Sequence, residues 1–407
     1  MEKHACPHRT ARLELQLKRH DGSPLRGMEV TVRQTSHAFL FGCGVFDAVE
    51  LCGPCAGPRK DFLTERMESW LKLFNYGTLP FYWGRFEPEE GRTMTLPTLR
   101  AAKWLAARDV RLKGHPLCWH TVCAPWLLTY PDGEILRRQI NRVRREVSDF
   151  KGLIDLWDVI NEAVIMPEFS RYDNAVTRIC RELGRVGLTK EVFSAAREEN
   201  PGAMLLINDF DTSVRYERLI ANCLEEGVPI DAIGIQSHQH QGYWGLQKLE
   251  KVLARFARFG LPIHFTENTL ISGNLMPSNI GDLKDYQVGA WPTTPAGEER
   301  QAREMQEMYG VLFAHPLVAA ITAWDFVDGK WLKAPSGLLR EDNSKKPAYH
   351  ALQELIHKRW HTQERLITDE SGCAAFTGYL GKYEYACGGR KGTFELKKTS
   401  GIFTILL

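Results

Sequence analysis

Two glutamates, Glu162 and Glu267, each lie at or near the end of a short run of apolar and β-branched residues. Cleavage of a glycosidic bond needs a proton for the leaving oxygen and a nucleophile or base on the other side of the bond. Two carboxyl groups can supply both functions if the fold brings them together. The alternative is that each glutamate forms a structural ion pair, and the elements that carry them decide between these interpretations.

Eight short runs of apolar or β-branched residues follow one another along the chain, and segments with helical periodicity fill the gaps between them. The runs are residues 39–45, 74–83, 111–119, 155–162, 204–211, 231–238, 262–268 and 319–326. Alternation of strand and helix eight times predicts a (β/α)8 TIM barrel, an α/β fold with a closed parallel sheet. A doubly wound open sheet is the alternative, but no glycine-rich phosphate loop follows the first run.

Nearly every predicted strand ends in a residue that can bind a sugar or do chemistry. The C-terminal ends of barrel strands converge on one face, and that face carries the active site. We therefore expect these side chains to meet, with the two glutamates on opposing sides of the mouth. They are Asn75, Trp83, His115, Trp119, Asn161, Glu162, Asn208, Asp209, Gln236, His238, Glu267, Trp324 and Asp328.

The two ends of the chain depart from this pattern. Residues 1–36 contain two alternating stretches around a turn, and residues 359–407 contain short alternating runs separated by glycines. Neither segment is large enough for a stable sheet alone, so we expect them to form one small β accessory domain beside a barrel of residues 37–358. Tyr379, Tyr383 and Tyr385 could give that domain a sugar-binding surface, but we favour a packing role for them.

Composition and charge exclude some classes of partner. Fifty-two basic and fifty acidic residues give a net charge of +2, which argues against nucleic acid or an anionic membrane surface as the main partner. The N-terminal residues lack the apolar segment of a signal peptide, and no apolar stretch reaches the length of about 18 residues that spans a bilayer. We expect a cytoplasmic protein, or a secreted one if a leader was removed, and the sequence does not indicate its oligomeric state.

The ten cysteines do not predict a metal or redox centre. Cys52 and Cys55 have the spacing of a thioredoxin motif, but they lie several residues before the predicted helix, so a loop pair is the favoured interpretation. Whether that pair forms a disulfide stays open. His238 and His240 have a spacing that could suit a pair of metal ligands. Neither these histidines nor the cysteines between residues 43 and 55 offer four ligands at zinc spacing, so we expect no metal.

Several ordered segments resemble glycoside hydrolase family 10, the xylanase family. The likeness runs from about residue 39 to residue 355 and includes the segments GHPLCWHTVCAPWL (114–127), LWDVINEAV (156–164), INDFD (207–211), GIQSHQH (234–240), HFTENTL (264–270) and ITAWDFVDGKW (321–331). The resemblance implies a (β/α)8 barrel that hydrolyses β-1,4-linked xylan or xylo-oligosaccharides without a metal or organic cofactor.

The resemblance further implies a retaining double displacement in which Glu162 is the acid/base and Glu267 the nucleophile. Retention requires the two carboxyl groups to lie about 5–5.5 Å apart. Asn161 would hydrogen-bond the sugar 2-hydroxyl, and His238 would orient Glu267. Further supporting or substrate-binding residues are expected to be Gln236, His115, Trp119, Trp324, Trp331, Asn75, Tyr82 and Trp83. Asp209 and Asp328 are expected to hold the site together without touching substrate.

The chain departs from the family pattern after the second strand. In the run 74–91, Pro80 and Phe81 stand where the family has a Glu-Asn pair, and a family lysine is missing; Val122 replaces a glutamine further on. We expect Tyr82 and Trp83 to line the cleft there, in place of polar groups that grip neighbouring sugars. Another β-glycan or an aryl β-glycoside therefore stays open as the substrate, and a non-catalytic carbohydrate-binding barrel is a further alternative.

Overall fold

A computed structural model of the protein describes residues 6–407. Residues 1–5 of the predicted N-terminal segment lie outside the described residues. The strands are β1 (Thr10–Lys18), β2 (Glu29–His37), β3 (Leu40–Gly44), β4 (Tyr76–Pro80), β5 (Arg111–His115), β6 (Leu156–Asn161), β7 (Met204–Asp209), β8 (Ala232–Ile235), β9 (His238–Gln239), β10 (Ile263–Leu270), β11 (Val318–Ala323), β12 (Gln363–Ile367), β13 (Cys373–Tyr379), β14 (Gly381–Cys387), β15 (Arg390–Leu396) and β16 (Ile402–Leu406). The helices are α1 (Asp47–Leu51), α2 (Gly57–Leu71), α3 (Trp83–Phe86), α4 (Thr95–Ala106), α5 (Asp132–Asp149), α6 (Ala175–Glu199), α7 (Val214–Glu225), α8 (Gly245–Ala257), α9 (Pro295–Ala314) and α10 (Pro347–Glu354).

Eight parallel strands close into a barrel. Strands β3, β4, β5, β6, β7, β8, β10 and β11 pair in this order, and β11 pairs back onto β3. Each barrel strand overlaps one of the eight predicted runs, so the predicted (β/α)8 barrel is confirmed. Amphipathic helices such as α5, α7 and α8 bury their apolar faces between the barrel strands and solvent.

The interior of the barrel changes from apolar to polar along its axis. Apolar side chains near the N-terminal ends of the strands form a plug of Leu40, Tyr76, Leu156, Leu206, Ala232 and Ala320. Two residues beyond Leu156 on the same strand, Asp158 is fully buried and pairs with the equally buried Lys113 of β5. The polar layer above the plug therefore supports the mouth of the barrel from below.

Two strands carry irregularities that set which side chains face the mouth. The pairing of β6 with β7 shifts register between Asp158 and Ile160, and the pairing of β10 with β11 shifts between Phe265 and Asn268. Side chains alternate strictly along a regular strand, whereas a bulge lets residues at odd spacing share a face. Asp158 and Asn161, three residues apart, consequently both point into the barrel, where each contacts a neighbouring inward side chain.

The ends of the chain build two small sheets. A three-stranded sheet has the order β13-β1-β16, and a four-stranded sheet has the order β12-β2-β14-β15. Apolar side chains of both sheets, including Leu15, Val32 and Phe394, are buried in one cluster. The predicted accessory domain of N- and C-terminal strands is present, while the exact boundaries at residues 36 and 358 stay predictions.

The tyrosines of this accessory domain pack inside it. Tyr379 and Tyr383 are buried, and Tyr383 stacks on Phe394 with 5.1 Å between ring centroids. Tyr385 is half-buried against Phe403. The favoured packing role is confirmed, and these three rings do not form an exposed sugar-binding face.

The accessory domain contacts the barrel on the face opposite the C-terminal strand ends. The Arg9 guanidinium donates to the carbonyl oxygens of Phe313 and His315, at 3.0 and 2.8 Å, and lies 4.5 Å from the ring of Phe39. These residues lie at the end of α9, or before β3 and β11, and thus at the N-terminal face of the barrel. Lys382 adds an ion pair with Asp109, just before β5.

The Cys52–Cys55 segment follows a helix and does not begin one. Cys52 caps the C-terminal end of α1, and both residues are free thiols. Burial raises the pKa of Cys52, which opposes formation of a reactive thiolate. The geometry supports the favoured loop interpretation over a thioredoxin-like centre.

Nowhere in residues 6–407 does a helix have the length and apolar character needed to cross a membrane.

Replacement of Tyr383 by alanine is expected to lower the free energy of unfolding by about 3–5 kcal/mol, because it leaves a cavity against Phe394 and removes a hydrogen bond to the Tyr379 carbonyl. Urea unfolding followed by circular dichroism measures this change. The matched control is Ile367→Ala, at a position that is 71% exposed, where little change is expected. An equal loss in both variants would contradict the packing role of Tyr383.

Candidate active site

A cleft of about 1180 Å³ opens at the C-terminal ends of the barrel strands. Its volume exceeds the range of about 300–1,000 Å³ typical of small-molecule pockets, which fits an extended ligand. Glu162 and Glu267 both line it, as the sequence predicts. The other predicted residues in its wall are Asn161, His115, Trp119, Gln236, His238, Trp324, Trp331 and Tyr82.

Glu267 lies within β10 and is 4% exposed. Its Oε1 accepts a hydrogen bond from Asn208 Nδ2 at 2.8 Å, and its Oε2 lies 3.0 Å from His238 Nε2. Burial alone would raise the pKa of Glu267, but the electrostatic influence of His115 and the hydrogen bond from His238 hold it below its ordinary value. The site thus favours an ionised Glu267.

Glu162 follows β6 and has a left-handed backbone conformation, φ 56°, that residues other than glycine seldom adopt. Its backbone N–H donates to the carbonyl oxygen of Asn208 at 2.8 Å, which holds this conformation. Trp119 Nε1 donates to Oε2 at 2.9 Å and Gln236 Nε2 to Oε1 at 3.3 Å. Burial and the charge of Glu267 together raise the pKa of Glu162 despite these donors, so the site favours a protonated Glu162.

Three side-chain amides connect the two carboxyl groups. Asn161 Oδ1 accepts from Asn208 Nδ2 at 2.7 Å and from Gln236 Nε2 at 3.1 Å. Since Asn208 also donates to Glu267 and Gln236 to Glu162, a continuous chain of hydrogen bonds runs from one carboxyl group to the other. This amide chain fixes the positions of both carboxyl groups relative to three different barrel strands.

His115 is oriented from inside the barrel. Its Nδ1 lies 2.7 Å from Asp158 Oδ2, and its Nε2 lies 4.0 Å from Glu267 Oε1. Burial works to raise the pKa of Asp158, but the charge of Lys113 and the hydrogen bond from His115 lower it overall. An ionised Asp158 therefore fixes the imidazole ring at the edge of the cleft, next to Glu267.

Aromatic rings form the walls of the cleft. The Trp324 ring centroid lies 5.3 Å from that of His115 and 5.9 Å from that of His238. Trp331 lies 4.4 Å from His238 and is only partly buried, so its indole is available to a ligand. Flat apolar rings at these positions can stack on sugar rings.

Only one of the two predicted aromatic residues after the second barrel strand reaches the cleft. Tyr82 lies 5.6 Å from Trp119 between ring centroids, but Trp83 is buried under Arg142, 4.9 Å from its ring, among the outer helices. Phe81 is buried there too, against Trp157. The prediction that Trp83 lines the cleft is wrong, because β4 ends at Pro80 and Trp83 begins helix α3, where its ring packs against Arg142 and Trp126.

Asn75 also lies away from the cleft, so its predicted role there is wrong. Its side chain donates to the carbonyl oxygens of His37 and Phe39 and accepts from the N–H of Phe41, each at 3.0 Å. The residue precedes β4 and therefore lies at the N-terminal face, where it holds the turn into β3. The predicted run 74–83 placed it inside the strand.

His115 and Trp119 both line the cleft, but they do not lie on one strand, although the predicted run 111–119 contains both. Strand β5 ends at His115, and Trp119 belongs to the following loop. A ring at hydrogen-bond distance from Glu162 is thus supplied by loop conformation, which strand periodicity cannot predict.

Asp209 and Asp328 hold loops in place. Asp209 accepts hydrogen bonds from the backbone N–H groups of Val164 and Asp211, at 3.0 and 2.9 Å, and burial raises its pKa to about 8. Asp328 pairs with Lys346 at 2.7 Å. These contacts agree with the structural roles expected for both residues.

Sequence reasoning missed three residues that act on the site. Lys113 and Asp158 lie beneath it, and the position of Lys113 two residues before His115 was a usable signal because such residues share a strand face. Lys284 lies 5.6 Å from the ring of Trp119, on a long loop whose course no periodicity reveals. No three His, Cys, Asp or Glu side chains of the described part of the chain are grouped so as to hold a metal ion.

Comparisons with known proteins agree with this geometry. Residues 81–355 match the sequence model of Glycosyl hydrolase family 10. Endo-1,4-beta-xylanase B of Thermotoga neapolitana is 28% identical over 293 residues, which cover 68% of this chain and 78% of the relative. Endo-1,4-beta-xylanase A of Caldicellulosiruptor saccharolyticus is 27% identical over 292 residues, 66% and 80% of the two chains.

Solved structures share the fold. A GH10 structure from Paenibacillus barcinonensis has a TM-score of 0.64 at 24% identity, and it covers 79% of this chain and 95% of its own. Xylanase 10B from Thermotoga petrophila in complex with xylobiose has a TM-score of 0.62 with the same identity and coverage. The accessory strands lie outside residues 81–355, the part of the chain that the family model matches.

Replacement of Trp119 by phenylalanine is expected to raise the pKa of Glu162 further. The indole N–H stabilises the ionised carboxylate, so its loss favours the protonated form. A carbon-13 NMR titration of labelled glutamate side chains measures this shift. Trp244→Phe is the control, since Trp244 lines the same cleft without bonding to Glu162; an unchanged or lower pKa in Trp119→Phe would refute the assigned contact.

Proposed function

The chain belongs to glycosyl hydrolase family 10 and is an endo-1,4-β-xylanase-like glycoside hydrolase; from this premise we propose that it cleaves β-1,4-linked xylan or xylo-oligosaccharides with retention of configuration. The observation that carries the mechanism is the opposite tuning of two carboxyl groups in one cleft. Glu162 has its pKa raised and Glu267 has its pKa lowered. An acid that keeps its proton beside an ionised nucleophile is the starting state that double displacement needs.

In the first step of the proposed mechanism, Glu267 attacks the anomeric carbon and the glycosidic carbon–oxygen bond breaks. Glu162 donates its proton to the leaving oxygen. The electron pair of the broken bond goes to the leaving oxygen, which takes the proton, and the new ester at Glu267 is neutral. The charge that raised the pKa of Glu162 is thus removed as the proton departs. Glu162 is thereby left as a carboxylate.

In the second step, the Glu162 carboxylate takes a proton from an incoming water, and the water oxygen attacks the anomeric carbon. The ester to Glu267 breaks and that carboxylate is restored. Trp119 and Gln236 donate to Glu162 throughout, so they stabilise its charged form between the two steps. The product keeps the configuration of the substrate because the carbon is attacked twice, from opposite sides.

The groups around the carboxyl pair have proposed roles in binding. Asn161 Oδ1 is occupied by Asn208 and Gln236, and its Nδ2 donates one hydrogen bond to Glu162 Oε1 at 3.4 Å, so the second N–H of that amide is left to donate to the sugar 2-hydroxyl. His115 presents Nε2 near Glu267, where a hydroxyl of the same sugar would lie. Trp324 and Trp331 supply flat walls for the sugar rings.

The sugar itself is the less constrained part of the proposal. The relatives named above are xylanases, which favours β-1,4-xylan. One observation favours a second candidate, another β-glycan or an aryl β-glycoside: the Tyr82 ring stands in the cleft beside Trp119, in the segment where the family's polar pair is missing. Stacking surfaces discriminate between sugars less sharply than hydrogen-bonding groups do. A non-catalytic barrel is disfavoured because both carboxyl groups and their donors are in place.

Incubation with linear β-1,4-xylohexaose is expected to give shorter products, resolved by chromatography, and Glu267→Ala is expected to lose on the order of 10⁴-fold or more of the rate. Ile367→Ala, at an exposed position of the accessory domain, serves as the folded control. Hydrolysis of an aryl β-glycoside without cleavage of xylohexaose would favour the second candidate. Full activity of Glu267→Ala would contradict the proposed nucleophile.

Proton NMR of the reaction with xylohexaose is expected to show the β-anomer of the new reducing end first, before mutarotation, as retention requires. Initial appearance of the α-anomer would mean inversion. In that case Glu267 would serve as a base for water and the double displacement would be wrong.

A further inference from the structure

The loop between β10 and α9 (residues 271–294) crosses the mouth of the barrel. Lys284 of this loop lies 5.6 Å from the ring of Trp119, although β10 and β5 are on opposite sides of the barrel. Arg171, on the loop after β6, pairs with Asp282 at 3.3 Å and with Asp285. These ion pairs hold the crossing loop against the loop that carries Glu162.

The position of Lys284 places a positive charge on the Glu162 side of the cleft. The indole between them donates to Glu162 at 2.9 Å. Burial raises the pKa of Glu162, and the charge of Lys284 offsets part of that rise, whereas Glu267 is influenced by His115 and His238. If Glu162 protonates the leaving oxygen, Lys284 faces the part of the substrate that leaves.

Within the described residues, Lys284 has no ion-pair partner. Its side chain is partly buried, and no acidic side chain of residues 6–407 forms an ion pair or hydrogen bond with its ammonium group. The acidic residues that line the cleft outside the carboxyl pair are engaged elsewhere: Asp47 with Arg66 and Lys330, Asp282 with Arg171, and Asp325 with the Ser336 hydroxyl.

Two more cationic side chains line the cleft, and each lies over an aromatic ring. Arg85 lies over the ring of Tyr82 at 5.7 Å and Lys248 over that of Trp244 at 4.3 Å, and neither forms an ion pair with the described residues. The chain as a whole is nearly neutral, with a net charge of +2. The uncompensated charge is therefore local to the cleft, where low-dielectric walls strengthen its field.

We propose that Lys284 binds a carboxylate carried by the substrate, so that the preferred substrate is a β-1,4-linked glycan branched with uronic acid on the leaving-group side. This inference rests on the proposed function and specifies its substrate class. An ammonium group beside an aromatic ring suits such a branch, because the sugar ring packs on the indole while its carboxylate accepts a charge-assisted hydrogen bond.

The test compares two xylo-oligosaccharides of equal backbone length, one with a single uronic acid branch and one without. The wild type is expected to show a kcat/KM about tenfold higher for the branched substrate, with a preference that shrinks as salt screens the charges. Lys284→Met is expected to abolish the preference, and Lys284→Arg to keep most of it. The ratio of the two substrates cancels any effect of the substitution on Glu162 itself.

Lys248→Met is the matched control, because it removes the same charge from the same cleft at a different place. It is expected to keep the preference. An equal loss in Lys284→Met and Lys248→Met would assign the effect to the general field of the cleft and overturn the role of Lys284. A ratio unchanged by Lys284→Met would overturn it as well.

A binding measurement separates this inference from the proposed function. Calorimetry compares a disaccharide of uronic acid and xylose with neutral xylobiose, using wild type and Lys284→Met. Tighter binding of the acidic disaccharide by the wild type alone supports the carboxylate site even if no xylo-oligosaccharide is cleaved, in which case only the proposed reaction fails. Equal binding of the two disaccharides by the wild type overturns the inference even if xylohexaose is cleaved.

Discussion

Burial of Glu162 and Glu267 in one cleft is the constraint that the surrounding structure has to satisfy. Each ionised carboxylate loses solvation there and repels the other, so the surroundings must favour one charge over two. They do so unequally: Glu267 has His115 and His238 beside it, whereas Glu162 receives hydrogen bonds from neutral side chains, including Trp119 and Gln236, and has the charge of Lys284 only beyond the indole. The difference in partners, not in burial, separates the two otherwise identical side chains.

The amide chain across the cleft explains why the barrel strands are irregular. Asn161 must reach Asn208 while Asp158, three residues earlier, reaches His115, and a regular strand cannot turn both inward. The register shift in β6 resolves this conflict. Local irregularity therefore serves the site, in the same way as the left-handed backbone of Glu162, which ends the strand and projects its carboxyl group into the cleft.

The sequence predicted the barrel, the accessory sheets and most of the cleft because each depends on patterns with a short period. Strand runs ended in polar residues, and those at true C-terminal ends, such as Gln236 and His238, do line the cleft. The predictions for Asn75 and Trp83 failed because the predicted strand bounds differ from the observed bounds by a few residues. Such a difference moves a side chain to another face of the strand or to the other end of the barrel. The position of Lys284 in the cleft could not be predicted from the sequence, because the path of a long loop depends on tertiary contacts such as that of Arg171 with Asp282.

The accessory sheets join strands that are far apart along the chain. Strand β1 pairs with β13 and β16, so Glu14 lies opposite Ala375 and Ile402. Loop closure over such separations is slow and entropically costly, and neither sheet can be completed until nearly the whole chain has been synthesised. During translation β1 and β2 therefore keep unpaired edges until their partner strands are made, and unpaired strand edges can associate with strands of other chains. Neighbouring barrel strands follow one another along the chain, except for the pair β3 and β11. The barrel can therefore assemble first, and its N-terminal face then offers a surface on which the two accessory sheets complete their pairing.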